Sequence, residues 1–193
     1  MVDDKINILS NPEHDTEDKP YWVKKSIVNE IQFCERICPI IKKTGIINPE
    51  RITNPYLPDL IVDGRLSELK YRGTPFYTSD FYYNLNPQFT CEINDKDIIH
   101  YEKYPELDLF FWINYQEMEK IHKNKHIYIH RIEGVFFIKF QDLKKLIELK
   151  KSPRHYYTNR KHDIRGNAES SFLLDVRDMD CLTIIEGSDL FNH

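Results

Sequence analysis

Residues 57–71 read LPDLIVDGRLSELKY, two apolar-alternating runs on either side of Asp63-Gly64. Asp-Gly between such runs is among the strongest local signals of a β-hairpin, because a two-residue type I′ turn needs positive φ at both positions. With these two residues as the turn, the register follows: Val62 faces Arg65, Ile61 faces Leu66, Leu60 faces Ser67, and Asp59 faces Glu68. Directly opposed residues hold their Cβ atoms about 4.5–5.5 Å apart on one face. Lys70 follows Glu68 by two, so the strand period puts it on that face as well. Asp59, Glu68 and Lys70 therefore converge without any tertiary assumption.

Like charges set opposite each other destabilise a hairpin, so this pair asks for a compensating cation. Mg²⁺ suits it, since it takes oxygen ligands and commonly one or two carboxylates with water and substrate phosphate. Asp59 and Glu68 would be its ligands, with the Leu69 carbonyl as a further oxygen. The metal would polarise a scissile phosphate and help generate hydroxide, while Lys70 orients the water or neutralises charge at the phosphate. The bare acid-x-Lys triplet is weak, recurring at Asp3-Asp4-Lys5, Glu17-Asp18-Lys19, Asp142-Leu143-Lys144 and Glu148-Leu149-Lys150. Strand context, the Pro-Asp opening and the cross-strand register carry the weight. Asp63 is explained by its turn alone.

In this setting LPDLIVDGRLSELKYR resembles the core of the PD-(D/E)XK nuclease superfamily, with Pro58-Asp59 as the PD element and Glu68-Leu69-Lys70 as the (D/E)XK element. The resemblance implies a restriction-endonuclease-like α/β (α+β) fold, a central mixed β-sheet flanked by helices. It further implies Mg²⁺-dependent hydrolysis of DNA phosphodiester bonds, with Mn²⁺ able to substitute, leaving 5′-phosphate and 3′-hydroxyl ends. RNA stays open as a substrate. Many members add a Glu from the preceding helix as a metal ligand; Glu30 or Glu35 could serve here, and Glu30 is preferred. Members often dimerise to cut both strands, so a homodimer is a natural partner. The alternative is a non-catalytic nucleic-acid or protein binding module retaining the fold, which would gain nothing from opposed carboxylates.

Outward from the hairpin, Val23, Ile27, Ile31, Cys34 and Cys38 recur in steps of three and four and predict an amphipathic helix from Tyr21 to about Ile41. Lys42, Lys43, Thr44 and Gly45 supply a cationic last turn and a stop. Segment 46–56 reads as an irregular connection, 72–90 is aromatic and proline-punctuated, and 95–104 suggests a short helix. Leu107–Tyr115 has strand character. His126–Ile132 and Val135–Phe140 flank Glu133-Gly134 and predict a second hairpin. Gln141–Lys151 follows as a helix, 152–170 as a polar loop and Ser171–Val176 as a last strand, with fraying after Gly187. One helix, then mostly strands, then a helix predicts a mixed α/β or α+β domain over 21–193 behind a loose acidic lead-in, 1–20.

A net charge of −4 does not announce a nucleic-acid binder, because phosphate neutralisation normally wants Lys and Arg. Much of the acid lies in the first 18 residues, however, and Lys144 to Arg165 is rich in cations. Within it Arg154, Tyr156, Arg160, Lys161 and Arg165 are candidate nucleic-acid contacts, by phosphate pairing and base stacking; a solvated loop anchored by Tyr156 and Tyr157 explains them equally well. Lys144, Lys145, Lys150 and Lys151 suit a helix's polar face. Tyr83, Asn86 and Gln88 follow the ELK strand but fit structural uses better. No run approaches the roughly 20 apolar residues of a membrane span, and the acidic start is no signal peptide. The eight His form no zinc pattern, and neither a phosphate-binding Gly-rich loop nor a Gly-x-Ser-x-Gly elbow occurs. Four Cys at no disulfide spacing, with Cys34 and Cys38 as small core residues, suit a reducing intracellular compartment. Ile-, Asn-, Lys- and Tyr-rich wording points to an AT-rich bacterial or phage genome.

Overall fold

The computed structural model describes residues 19–157 and 170–191, with side chains from Lys24 onward. Helix α1 (Lys19–Gln32) runs into a π-turn (Phe33–Ile37) and a short α2 (Cys38–Ile40). The helical path ends where Lys42 takes a left-handed backbone, φ 56°, rather than at Gly45 as the stop signal suggested. Gly45 instead opens strand β1 (Gly45–Ile47), where a Cβ would stand 2.5 Å from the Cys38 sulfur. Its glycine serves close approach of helix to strand. A 3₁₀ turn (Pro49–Ile52) leads to β2 (Leu60–Val62), β3 (Arg65–Arg72), α3 (Ser79–Tyr83), β4 (Thr90–Asn94) and α4 (Asp95–Tyr101). Then come β5 (Asp108–Tyr115), β6 (Met118–His122), β7 (Lys125–Ile129), β8 (Ile132–Lys139), α5 (Phe140–Lys150) and β9 (Arg154–Tyr156). After the undescribed stretch follow β10 (Ser170–Asp175), β11 (Asp180–Glu186) and a final 3₁₀ turn (Ser188–Phe191).

Six strands form one sheet in the order β1-β2-β3-β5-β8-β11. Only β3 and β5 run parallel; the other neighbours are antiparallel, so the fold is mixed α/β. Strand β5, DLFFWINY, lies between β3 and β8 and is covered on both faces, which is why its sequence is an unbroken apolar run. Phe110 and Trp112 point to one face, where Phe33, Ile37 and Cys38 of the α1–α2 helix meet Leu60, Val62 and Leu69. Leu109, Phe111, Ile113 and Tyr115 point to the other, packed with Tyr101, Phe140 and Leu174 from α4, α5 and a smaller sheet of order β4-β10-β9. Along α1 and the π-turn the buried stripe is Glu30, Phe33 and Ile37, whereas Ile27 and Ile31 stay 44% and 39% exposed. Two stripes of helical spacing compete there, and the one carrying the larger apolar area at Phe33 and Ile37 takes the sheet.

The hairpin expected at Glu133-Gly134 does not form. Both residues lie within β8, opposite Asn114 and Ile113 of β5. Gly134 admits Ile184, whose Cδ1 would come within 2.9 Å of an added Cβ. Glu133 is buried as the acceptor of Trp112 Nε1 at 3.0 Å and of Arg36. The hairpin in this region is β6–β7, turned at Lys123-Asn124 with φ 46° and 64°. Short β9 occupies part of the expected 152–170 loop, and β10 matches the expected last strand. Another strand follows, however: β11 is an edge of the main sheet, and its two register irregularities against β8 break the alternation that would reveal it. Residues 188–191 are a 3₁₀ turn rather than a fray. Among the described residues no helix is long and apolar enough to cross a membrane.

Candidate active site

The turn of the β2–β3 hairpin has φ 48° at Asp63 and 77° at Gly64, and the ladder Val62–Arg65, Ile61–Leu66, Leu60–Ser67 follows; the fourth expected pair, Asp59 with Glu68, lies beyond the end of the ladder. Asp63 does more than turn the chain. Its carboxylate accepts the Thr44 N–H at 2.9 Å and Lys43 Nζ at 3.0 Å, tying the hairpin to the approach to β1 and holding its pKa below the usual range. Before Leu60 the chain is drawn toward β1: the Asn48 N–H donates to the Asp59 carbonyl and its side-chain amide to the Pro58 carbonyl, both at 3.0 Å. Strand β3 continues beyond Ser67 with β5 alone. The space so opened is a cleft of about 640 Å³, lined by Lys25, Ser26 and Asn29 of α1 and by Glu68, Lys70 and Arg72 of β3.

Asp59, Glu68 and Lys70 meet at this opening. The Asp59 N–H donates to Glu68 Oε2 at 3.3 Å, and Glu68 Oε1 accepts Lys70 Nζ at 3.1 Å and the Tyr101 hydroxyl at 2.7 Å. Lys70 Nζ also donates to Asp97 Oδ2 at 2.8 Å and sits 5.3 Å from the Tyr101 ring centre. Asp97 and Tyr101, four apart on α4, share a helix face, so one element grips both members of the Glu68–Lys70 pair. Glu30 is buried, accepting Ser26 Oγ at 3.0 Å and Arg51 Nη1 at 2.7 Å. Arg51 Nη2 reaches Asp59 Oδ1 at 3.0 Å, so the guanidinium bridges the two acids. Glu35, the other helix-borne candidate, is exposed.

Burial pushes the Asp59 carboxyl up to about 7, helped by the charges of Glu68 and Glu30; Arg51 and Lys70 pull it down only in part. Burial opposes charge on Lys70, but Tyr101, Glu68 and Asp97 together hold its pKa well above the ordinary lysine range. Burial likewise keeps the Tyr101 phenol well above its usual value.

Among the described residues no three His, Cys, Asp or Glu side chains are grouped so as to hold a metal ion by themselves. A site here would use two carboxylates, Asp59 and Glu68, completed by main-chain oxygen and water, a set that Mg²⁺ accepts. The alternation of hairpin hydrogen bonds turns the Leu69 carbonyl toward the side that β2 vacates. These hard oxygens fit a hard divalent cation. Glu30, engaged by Ser26 and Arg51, stands one layer out.

The remaining sequence candidates fare differently. Arg154 pairs with Asp95 at 3.1 Å and covers the Phe172 ring at 4.7 Å, a structural engagement; Tyr156 is 67% exposed. Arg160, Lys161 and Arg165 lie outside the described residues. Gln88 bridges the His130 backbone through both amide atoms, Asn86 accepts the Gln88 N–H, and Tyr83 bonds His155. Lys144, Lys145 and Lys150 pair with Glu102, Asp142 and Asp178. Asp97, Tyr101 and Arg51 were missed in the sequence. The spacing of the first two on an expected helix was visible, but that the helix meets Lys70 was not, and nothing local marks Arg51. Comparison with protein-family models, with curated proteins and with solved structures gave no match.

Proposed function

We propose that this chain is a Mg²⁺-dependent endonuclease of the PD-(D/E)XK, restriction-endonuclease-like type, hydrolysing DNA phosphodiester bonds with Mn²⁺ as a working substitute. The observation that carries the reading is the opening of the β2–β3 hairpin. There Asp59 and Glu68 are held together through the Asp59 N–H, Lys70 stands on the same face, and a cleft lies alongside. The mixed sheet flanked by helices is compatible with it.

Asp59, Glu68 and the Leu69 carbonyl would hold the ion. Bound there, Mg²⁺ supplies Lewis-acid polarisation of the phosphate and a more acidic water. Lys70, kept charged by its neighbours, neutralises charge that builds on the phosphate oxygens. Asp97 positions Lys70, and Tyr101 positions Glu68 by donating to the oxygen that Lys70 shares. Glu30 holds Arg51, which in turn reaches Asp59.

The test is cleavage of supercoiled, linear and single-stranded DNA with Mg²⁺, Mn²⁺ or EDTA, beside Glu68→Ala and Lys70→Ala proteins checked for folding by circular dichroism. Metal-dependent cutting lost in both variants is expected. Absence of cutting on DNA, RNA and branched substrates alike, with binding that survives EDTA, would replace this reading by the non-catalytic binding module.

A further inference from the structure

Beside the cleft the chain carries aromatic rings that no core requires. Two residues past Thr74 at the cleft's lip, Phe76 lies 5.0 Å from the His155 ring, and His155 lies 5.9 Å from Tyr83. The contacts continue from Tyr83 to Tyr82 at 6.3 Å, from Tyr82 to His122 at 6.2 Å, and from His122 to Phe81 at 5.4 Å. Phe81 and Tyr82, edge to face at 4.9 Å on α3, are 43% and 53% exposed. From the β6–β7 turn Lys123 brings its ammonium to 4.4 Å from the Phe81 centre and 5.1 Å from that of Tyr82. Of the nearby acids, Asp80 pairs with Lys125, Glu119 contacts the His126 ring and Glu117 accepts the Tyr128 hydroxyl.

Half-exposed rings in contact with one another and topped by a cation form a surface of particular chemistry. Exposed ring surface stacks on nucleobases, and Lys123, which lies over the Phe81 and Tyr82 rings, is the ammonium that would meet the phosphates between them. In a continuous duplex the base faces are already stacked on one another, so such a surface has little to hold there. We propose that the aromatic path centred on Phe81 and Tyr82 docks unpaired nucleobases, and that the substrate of the neighbouring cleft is single-stranded or locally unpaired nucleic acid. The inference rests on the nuclease reading for the role of the cleft and adds the class of strand.

Fluorescence anisotropy in EDTA, where no chemistry runs, tests it with labelled oligothymidylate and a duplex of equal length. The single strand is expected to bind more tightly. Phe81→Ala with Tyr82→Ala should weaken that binding by about tenfold or more, from the usual worth of base–ring stacking, and leave duplex binding unchanged. Tyr82→Phe, which keeps the ring, should bind as the wild type does. Both rings are exposed, so unchanged circular dichroism and melting are expected of each variant. Equal or tighter duplex binding, an alanine variant that binds like the wild type, or loss only with Lys123→Ala would overturn the proposal. Mg²⁺-dependent cutting of duplex with no ring effect sinks this inference alone. Ring-dependent strand binding without cutting under any metal sinks the nuclease reading alone.

Discussion

Four carboxyls, Glu30, Asp59, Glu68 and Asp97, stand around two cations, Arg51 and Lys70. Burial, with the charges of Glu68 and Glu30, lets Asp59 keep its proton to about pH 7. In the unfolded chain that proton leaves near the ordinary value of 3.8, so folding takes up a proton between the two. Stability linked to Asp59 is whole below about pH 4 and falls as pH rises toward 7. Asp59→Asn should therefore raise the melting temperature of metal-free protein at pH 8 by several degrees, from roughly 1–3 kcal/mol, and leave it nearly unchanged at pH 4. Thermal melts against pH check this; an equal gain at both pH values would deny the protonation. Mg²⁺ affinity, read by titration calorimetry, should in turn climb through pH 7 as the carboxyl frees. Asp97→Asn should lower kcat about tenfold with KM little changed and bring the alkaline limb of the pH–rate profile down, because Lys70 loses a neighbour that favours its charge. An unaltered limb would leave Asp97 a purely structural role.

At the scale of elements, the β2–β3 hairpin was legible because everything that makes it is local: a turn demanding positive φ and a side-chain period of two. The same reasoning failed at Glu133-Gly134, where glycine admits Ile184 and the carboxylate serves Trp112 and Arg36 from other elements. It failed again at Gly45, for the same kind of reason. There Gly45→Ala would drive a methyl into the Cys38 sulfur and should cost about 1–3 kcal/mol, as overpacking of a tight contact does. Removing the sulfur with Cys38→Ala should give back much of that loss in the double variant. Urea denaturation of the four proteins checks the coupling; strictly additive losses would mean that the two residues do not touch. The helix-borne acid was readable only as a choice between Glu30 and Glu35, since the sequence alone does not say which of two apolar stripes faces the sheet.

For the molecule as a whole, the parallel pairing of β3 with β5 means that the chain must leave the sheet and return between them, and that excursion carries α3, β4 and α4. Asp97 reaches Lys70 from 27 residues away and Tyr101 reaches Glu68 from 33, distances over which no local pattern speaks. Closing such loops costs entropy before any contact rewards it. The hairpin and the β5–β8 pair should thus gain amide protection first in pulse-labelled refolding, with β3–β5 protected later; simultaneous protection would count against that order. During the interval the hairpin carries Glu68 and Lys70 without the helix that grips them. The excursion therefore works as a late fastener: until it closes, Glu68 and Lys70 stand without the Tyr101 hydroxyl and the Asp97 carboxylate that aim them.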